Sequence, residues 1–229
     1  MTNQDKNGAV TKSALRRQRE REQRYESILR AAQTRFSRDG YHATSMESIA
    51  EIAEVSVGTV YFYFKNKEDL LVHLLDRIGY RIRELVGAEF RGAEASLDGF
   101  RAAGLAFFLK FCTEHPEQIA IFFRESVGQS KVVEEKRRQI FEKFTGDIKN
   151  ALLNVSSNLG IRFRSVYSVE VMAVSIVGMY ERVAYQYLIW QDNSEDLPAI
   201  AEDAMAFIVG GLQNLCENEG AVDPPEGST

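Results

Sequence analysis

The chain reads as all-α, with a small three-helix head at the N-terminus followed by a longer helical body. Three observations carry this. Apolar residues recur at helical spacing in segment after segment, and no strand pattern competes. Only 4 of 229 residues are Pro, so long helices are uninterrupted, and a hydrophobic content of 45% is ample for a buried core. The stretch 44–71, TSMESIAEIAEVSVGTVYFYFKNKEDLL, reads as two short helices joined by a tight turn and followed by a third helix start.

In chain order, residues 1–12 read as a disordered arm, 13–66 as the head, 67–218 as the body and 219–229 as a loose tail. The first helix runs from about Ser13 to Arg38, with Ile28, Leu29, Ala32 and Phe36 on its inner stripe and Gly40 as a stop. Thr44 or Ser45 caps the second helix, whose Met46, Ile49, Ala50 and Ala53 share one face. Small residues at Ala50 and Ala53 let another helix cross closely. Ser56 caps the third helix. If Val60 and Phe64 face inward, Val57, Gly58, Thr59, Tyr61, Phe62 and Tyr63 are left largely outward. Glu54 stands in the turn, where left-handed backbone would favour Gly.

Asn66 caps a long helix with Asp69 in its first turn, and the apolar positions from Leu70 to Val86 persist to about Phe90. It links head to body covalently. The body then offers two helices broken at His115-Pro116, a long amphipathic helix ending at Gly160, and two more over Arg164–Trp190 and Pro198–Asn218. No internal repeat is present.

An outward helix ending in Tyr and Phe is costly on a free surface. Spacing alone leaves two readings open. The aromatics either close a small helical hairpin or meet a partner. Thr and Tyr hydroxyls can donate to phosphates, while Val, Thr and Phe can touch thymine methyls in a major groove.

Residues Thr44, Ile49, Ala50, Ala53, Val55, Ser56, Gly58, Thr59, Tyr61, Tyr63, Phe64, Lys67, Leu70 and Leu71 closely resemble the DNA-binding signature of the TetR family of one-component transcriptional regulators. Glu54 departs from that pattern, which usually has Gly in the turn. The resemblance implies a helix-turn-helix head that contacts double-stranded operator DNA; the candidates are Thr44, Ser56, Gly58, Thr59, Tyr61, Tyr63 and Lys67 from the matched pattern, with Val57 and Phe62 added by their outward position. Thr44, Tyr61, Tyr63 and Lys67 are the phosphate candidates. Val57, Gly58, Thr59 and Phe62 are better placed for base edges. The resemblance also implies repression and a helical ligand-binding and dimerisation body. The last two helices would pair with their twins in a homodimer, through small and apolar positions such as Val174, Gly178, Ala206, Gly210 and Gly211.

Charge agrees with a nucleic-acid head. The net charge is −5, but residues 1–70 hold 12 Lys+Arg against 10 Asp+Glu, leaving 16 against 23 for the rest. Lys12, Arg16, Arg17, Arg19, Arg21 and Arg24 cluster within thirteen positions near the N-terminus, where they either contact DNA or form a solvated leader.

In the body, Phe107, Phe111, Phe123, Arg124, Phe144, Met179 and Tyr180 are candidates to line an effector cavity. Singly, such aromatics and methionines are more often core. Together they favour an elongated apolar small molecule, a fatty acyl chain or a hydrophobic drug-like compound. Catalysis has little support. The three histidines are scattered, no metal spacing or phosphate-cradling Gly loop occurs, and no cofactor is expected. Two cysteines without metal-like spacing, no signal core and no spanning run point to a cytoplasmic protein without a membrane partner. A helical ligand-sequestering or protein-interaction module without operator binding is the alternative.

Overall fold

The first helix forms where its sequence becomes amphipathic. In the computed structural model, which describes residues 12–93, 96–165 and 167–218, α1 spans Lys12–Asp39 and buries Ile28, Leu29, Ala31, Ala32 and Phe36. Lys12, expected in the arm, is the first residue of this helix. The rest of the expected arm and the expected tail lie outside the described residues. The described chain divides into two compact units between Leu71 and Val72.

In the first unit α2 spans Met46–Ile52 and α3 spans Val57–Tyr63. Ile28, Phe36, Ile49, Val60, Phe64, Leu70 and Leu71 are fully shielded from water, each worth about 1.5–3 kcal/mol of transfer free energy. Tyr25 extends this core, stacking on Phe64 with ring centroids 5.2 Å apart. Helix α4, Lys67–Gly92, begins in this unit and continues into the second.

The second unit is built on α5 (Leu97–Ala106), α6 (Pro116–Ala120), α7 (Lys131–Leu159), α8 (Ser168–Ala184) and α9 (Leu197–Leu215). Its core joins Phe100 of α5, Leu152 and Val155 of α7, Met172 and Ile176 of α8, and Met205, Ile208 and Leu212 of α9. Helices α5, α6 and α8 each run on into π-helical turns, at Phe107–Cys112, Ile121–Glu125 and Tyr185–Trp190.

One feature corrects the sequence reading. Gly160 ends α7 with φ of +64°, the left-handed cap that Gly adopts without a Cβ clash. The chain then forms a short strand β1, Ile161–Phe163, paired antiparallel with β2, Cys216–Asn218. The last helix therefore stops at Leu215, short of the expected Asn218. Three-residue strands are too short to leave an alternating pattern.

On α8 and α9, Val171, Val174 and Phe207 are exposed. A Cβ added at Gly178 or Gly210 would meet nothing within 4 Å.

Candidate nucleic-acid interface and internal cavity

The turn between α2 and α3 is assembled from local hydrogen bonds. Ser45 and Ser48 form a reciprocal capping box at the start of α2. At the other end the Ala53 amide donates to Ile49 O at 2.9 Å and the Val55 amide to Ala50 O at 3.0 Å. Glu54 sits between them with φ of +54°, the left-handed geometry that Gly would take freely. From α1, the Ser27 hydroxyl donates to Ala53 O at 3.1 Å and fixes the turn in place. Removing the Cβ by Glu54→Gly relieves a cost of about 1 kcal/mol. The expected result is a higher unfolding midpoint of the head in urea; an unchanged or lower midpoint would show the turn is not strained.

Ser56 caps α3 by accepting the Thr59 amide at 3.1 Å, and the two hydroxyls lie 2.8 Å apart. With Val60 and Phe64 buried, the opposite face presents Val57, Gly58, Tyr61 and Phe62. Phe62 is 73% exposed, an unusual state for so large an apolar ring. Thr59 and Tyr63 are half-buried, and Tyr63 packs edge-on to Tyr25.

Two expected phosphate contacts are engaged inside the head instead. Thr44 is 3% exposed, and its hydroxyl donates to Gly40 O at 2.8 Å. The Lys67 ammonium donates to Tyr41 O at 2.7 Å, His42 O at 3.2 Å and Thr44 O at 2.8 Å. It also lies 4.5 Å from the centroid of the Tyr41 ring. An ammonium has three protons to donate, and all three are taken. Partial burial lowers its pKa. Lys67 is therefore the tie that holds the α1–α2 connection, and Thr44 is part of what it holds.

The second unit contains a cavity of about 400 Å³, walled by α4, α5, α7, α8 and the π-helical turns that follow α5 and α6, within the usual range of small-molecule sites. Of the residues expected there, Phe107, Phe123, Phe144 and Tyr180 line it. Three do not. Phe111 lies behind the wall, stacked on Phe107 at 6.4 Å. Met179 packs against the core cluster. Arg124 faces outward and pairs with Glu125 at 2.6 Å. Gly104 makes room for the Tyr180 hydroxyl, which donates to Met205 Sδ at 3.1 Å; a Cβ at Gly104 would overlap both. Burial raises the Tyr180 pKa, so the phenol stays neutral.

The polar part of the wall was not foreseen. It comprises Arg83, Glu84 and Arg91 of α4, Asp147, Asn150 and Asn154 of α7, and Glu181 of α8. A usable signal existed in the i, i+4 and i+8 spacing of Arg83, Gly87 and Arg91. Behind Glu181 stands Arg137, only 8% exposed, which donates to Phe122 O at 2.5 Å and Ser126 Oγ at 2.6 Å. Its guanidinium is 3.6 Å from the Glu181 carboxylate.

Burial raises the Glu181 pKa more than Arg137 lowers it. A folded-state pKa above the unfolded one means that stability is lost as pH rises through the raised value. Glu181→Gln should therefore raise the melting temperature at pH 8. The gain should vanish once the pH falls below the ordinary Glu value of about 4.3. A gain independent of pH would contradict this.

Among the described residues no group of His, Cys, Asp and Glu is arranged to hold a metal ion, and no helix is long and apolar enough to cross a membrane. Cys112 is buried, which raises its thiol pKa and keeps it unreactive.

Comparison with known proteins agrees with this geometry. Residues 28–74 match the family model described as bacterial regulatory proteins, tetR family. The chain is 25% identical over 193 residues to the fatty acid metabolism regulator protein of Bacillus subtilis (strain 168), covering 83% of this chain and 96% of that one. It is 30% identical over 152 residues to the transcriptional regulator RutR of Escherichia coli (strain K12), covering 66% of each. Its fold is similar to that of the transcriptional regulator FadR from Bacillus subtilis in complex with stearoyl-CoA. That match has a TM-score of 0.71 at 21% identity and covers 82% of this chain and 98% of that one. The chain belongs to the TetR family of bacterial regulatory proteins.

Proposed function

We propose that the protein is a dimeric, ligand-responsive repressor whose paired heads bind palindromic operator DNA and release it when a hydrophobic small molecule fills the cavity of the body. The observation that carries this reading is helix α4. Unbroken from Lys67 to Gly92, it begins with the tie of the DNA-reading head and later supplies part of the cavity wall. A ligand that shifts α4 acts on an element shared with the head.

The exposed face of α3 suits the major groove. Val57, Gly58, Thr59 and Phe62 are assigned to base edges, and Tyr61 and Tyr63 to phosphates. One α3 reads too few bases for useful specificity. Two heads spaced about 34–36 Å apart would read successive turns of the duplex. The exposed apolar face of α8 and α9, with its unobstructed glycines, suits the homodimer contact. The aromatic interior and the relative solved with stearoyl-CoA favour a fatty acyl-type effector.

Phe62→Ala tests the head. The residue is 73% exposed, so stability should change by no more than about 0.5 kcal/mol. Loss of an apolar ring from the groove should weaken operator binding about tenfold. Anisotropy titrations on DNA from upstream of its own gene would measure this. Unchanged affinity would remove α3 from the interface.

A further inference from the structure

The geometry points to an anion-binding mouth on the effector cavity, in which Arg91 receives the carboxylate or phosphate head of an amphiphilic ligand whose apolar body lies among the aromatic rings. This rests on the effector-cavity reading above and adds the ligand's charge and the residue that selects it.

The placement follows from how α4 and α7 run. Asp76 receives Lys136 at 2.8 Å, Ile140 packs over Gly79, and Asp147 receives Arg83 at 2.5 and 2.9 Å. Both helices therefore advance in the same direction along their contact. Continued by two turns, that register sets Arg91 of α4 opposite the later cavity-lining part of α7, where Asn150 and Asn154 stand one turn apart. Earlier on α7, Phe141 and Phe144 line the aromatic part. Arg91 and the two amides thus gather toward the later ends of both helices, beside Phe90 and Ala151.

Charge narrows the choice of residue. Arg83 is held by both oxygens of Asp147, and Glu181 faces Arg137. Arg91 and Glu84 are the remaining charges on the wall, about 10 Å apart along the helix axis. No ion pair reaches Arg91 among the described residues, and its guanidinium folds back over Gly87, where a Cβ would stand 3.0 Å from Nη1. A guanidinium beside two carboxamides can donate several hydrogen bonds to one oxyanion. An uncharged ligand would leave those donors unused.

Calorimetric titration of the full chain with laurate, lauroyl-CoA and uncharged 1-dodecanol tests this. At least one anionic probe should bind about tenfold or more tightly than dodecanol. Arg91→Gln, an exposed position with little bearing on folding, should remove that preference and leave dodecanol binding as it was. Tight laurate binding identifies a carboxylate head; preference for lauroyl-CoA alone identifies the phosphates. Equal affinity for dodecanol and both anions, or no effect of Arg91→Gln, overturns the anionic mouth while leaving the apolar cavity standing. Failure of all three probes to bind the unaltered protein overturns the effector cavity with it.

Discussion

Replacing Lys67 by Met is expected to destabilise the head by about 2–4 kcal/mol and to weaken binding to every DNA sequence alike. Met keeps the apolar stem but removes three donors at once. The carbonyls of Tyr41, His42 and Thr44 then lose their shared partner, and hydrogen bonds to a charged group contribute about 1.5–3 kcal/mol each, less than additively. Contact with the Tyr41 ring is lost as well. The connection held by these bonds leads directly into α2, so its loosening disturbs the capped start of that helix. Urea unfolding followed by circular dichroism, beside anisotropy on specific and unrelated DNA, separates two roles. A tie lowers stability. A phosphate ligand would leave stability intact and reduce the salt dependence of binding by about one ion.

Arg137→Met should destabilise the body by about 2–4 kcal/mol. Arg137 is buried against the rings of Phe141 and Phe122, at 5.5 and 6.0 Å. Its bonds to Phe122 O and Ser126 Oγ tie α7 to the π-helical turn Ile121–Glu125. Removing it leaves the Ser126 hydroxyl with only its own bond to Phe122 O and Glu181 without its counter-charge, and breaking a buried pair from one side is the costly way to lose it. Neutralising the other side as well should restore part of the loss. In a double-mutant cycle, Arg137→Met with Glu181→Gln should be less destabilised than the sum of the two single changes. Strict additivity would show that the two groups do not interact.

The head was legible because its signals are local. Ser45 and Ser56 act as caps within three residues of their partners. Val60 and Phe64, one turn apart, turn inward together, and Glu54 takes the left-handed geometry its position demands. What stayed hidden depends on distant chain. The partners of Lys67 lie 23–26 residues earlier, and nothing in the motif itself shows that its ammonium turns back to them. The π-helical turns shift hydrogen bonding by one residue without altering the apolar spacing. Phe111 and Phe107, one turn apart, look equivalent in sequence, yet only Phe107 reaches the cavity. Arg83, Gly87 and Arg91 share one face of α4 by spacing alone, but that this face borders a cavity appears only once α7 lies beside it.

The central claim, that filling the body cavity releases the head from DNA, is tested most directly by titrating a hydrophobic anion such as lauroyl-CoA into the protein bound to its upstream operator. The account predicts sequence-specific, salt-dependent binding that falls as the cavity fills. Operator binding that persists when lauroyl-CoA is bound, or binding no tighter on the operator than on unrelated DNA, would contradict it.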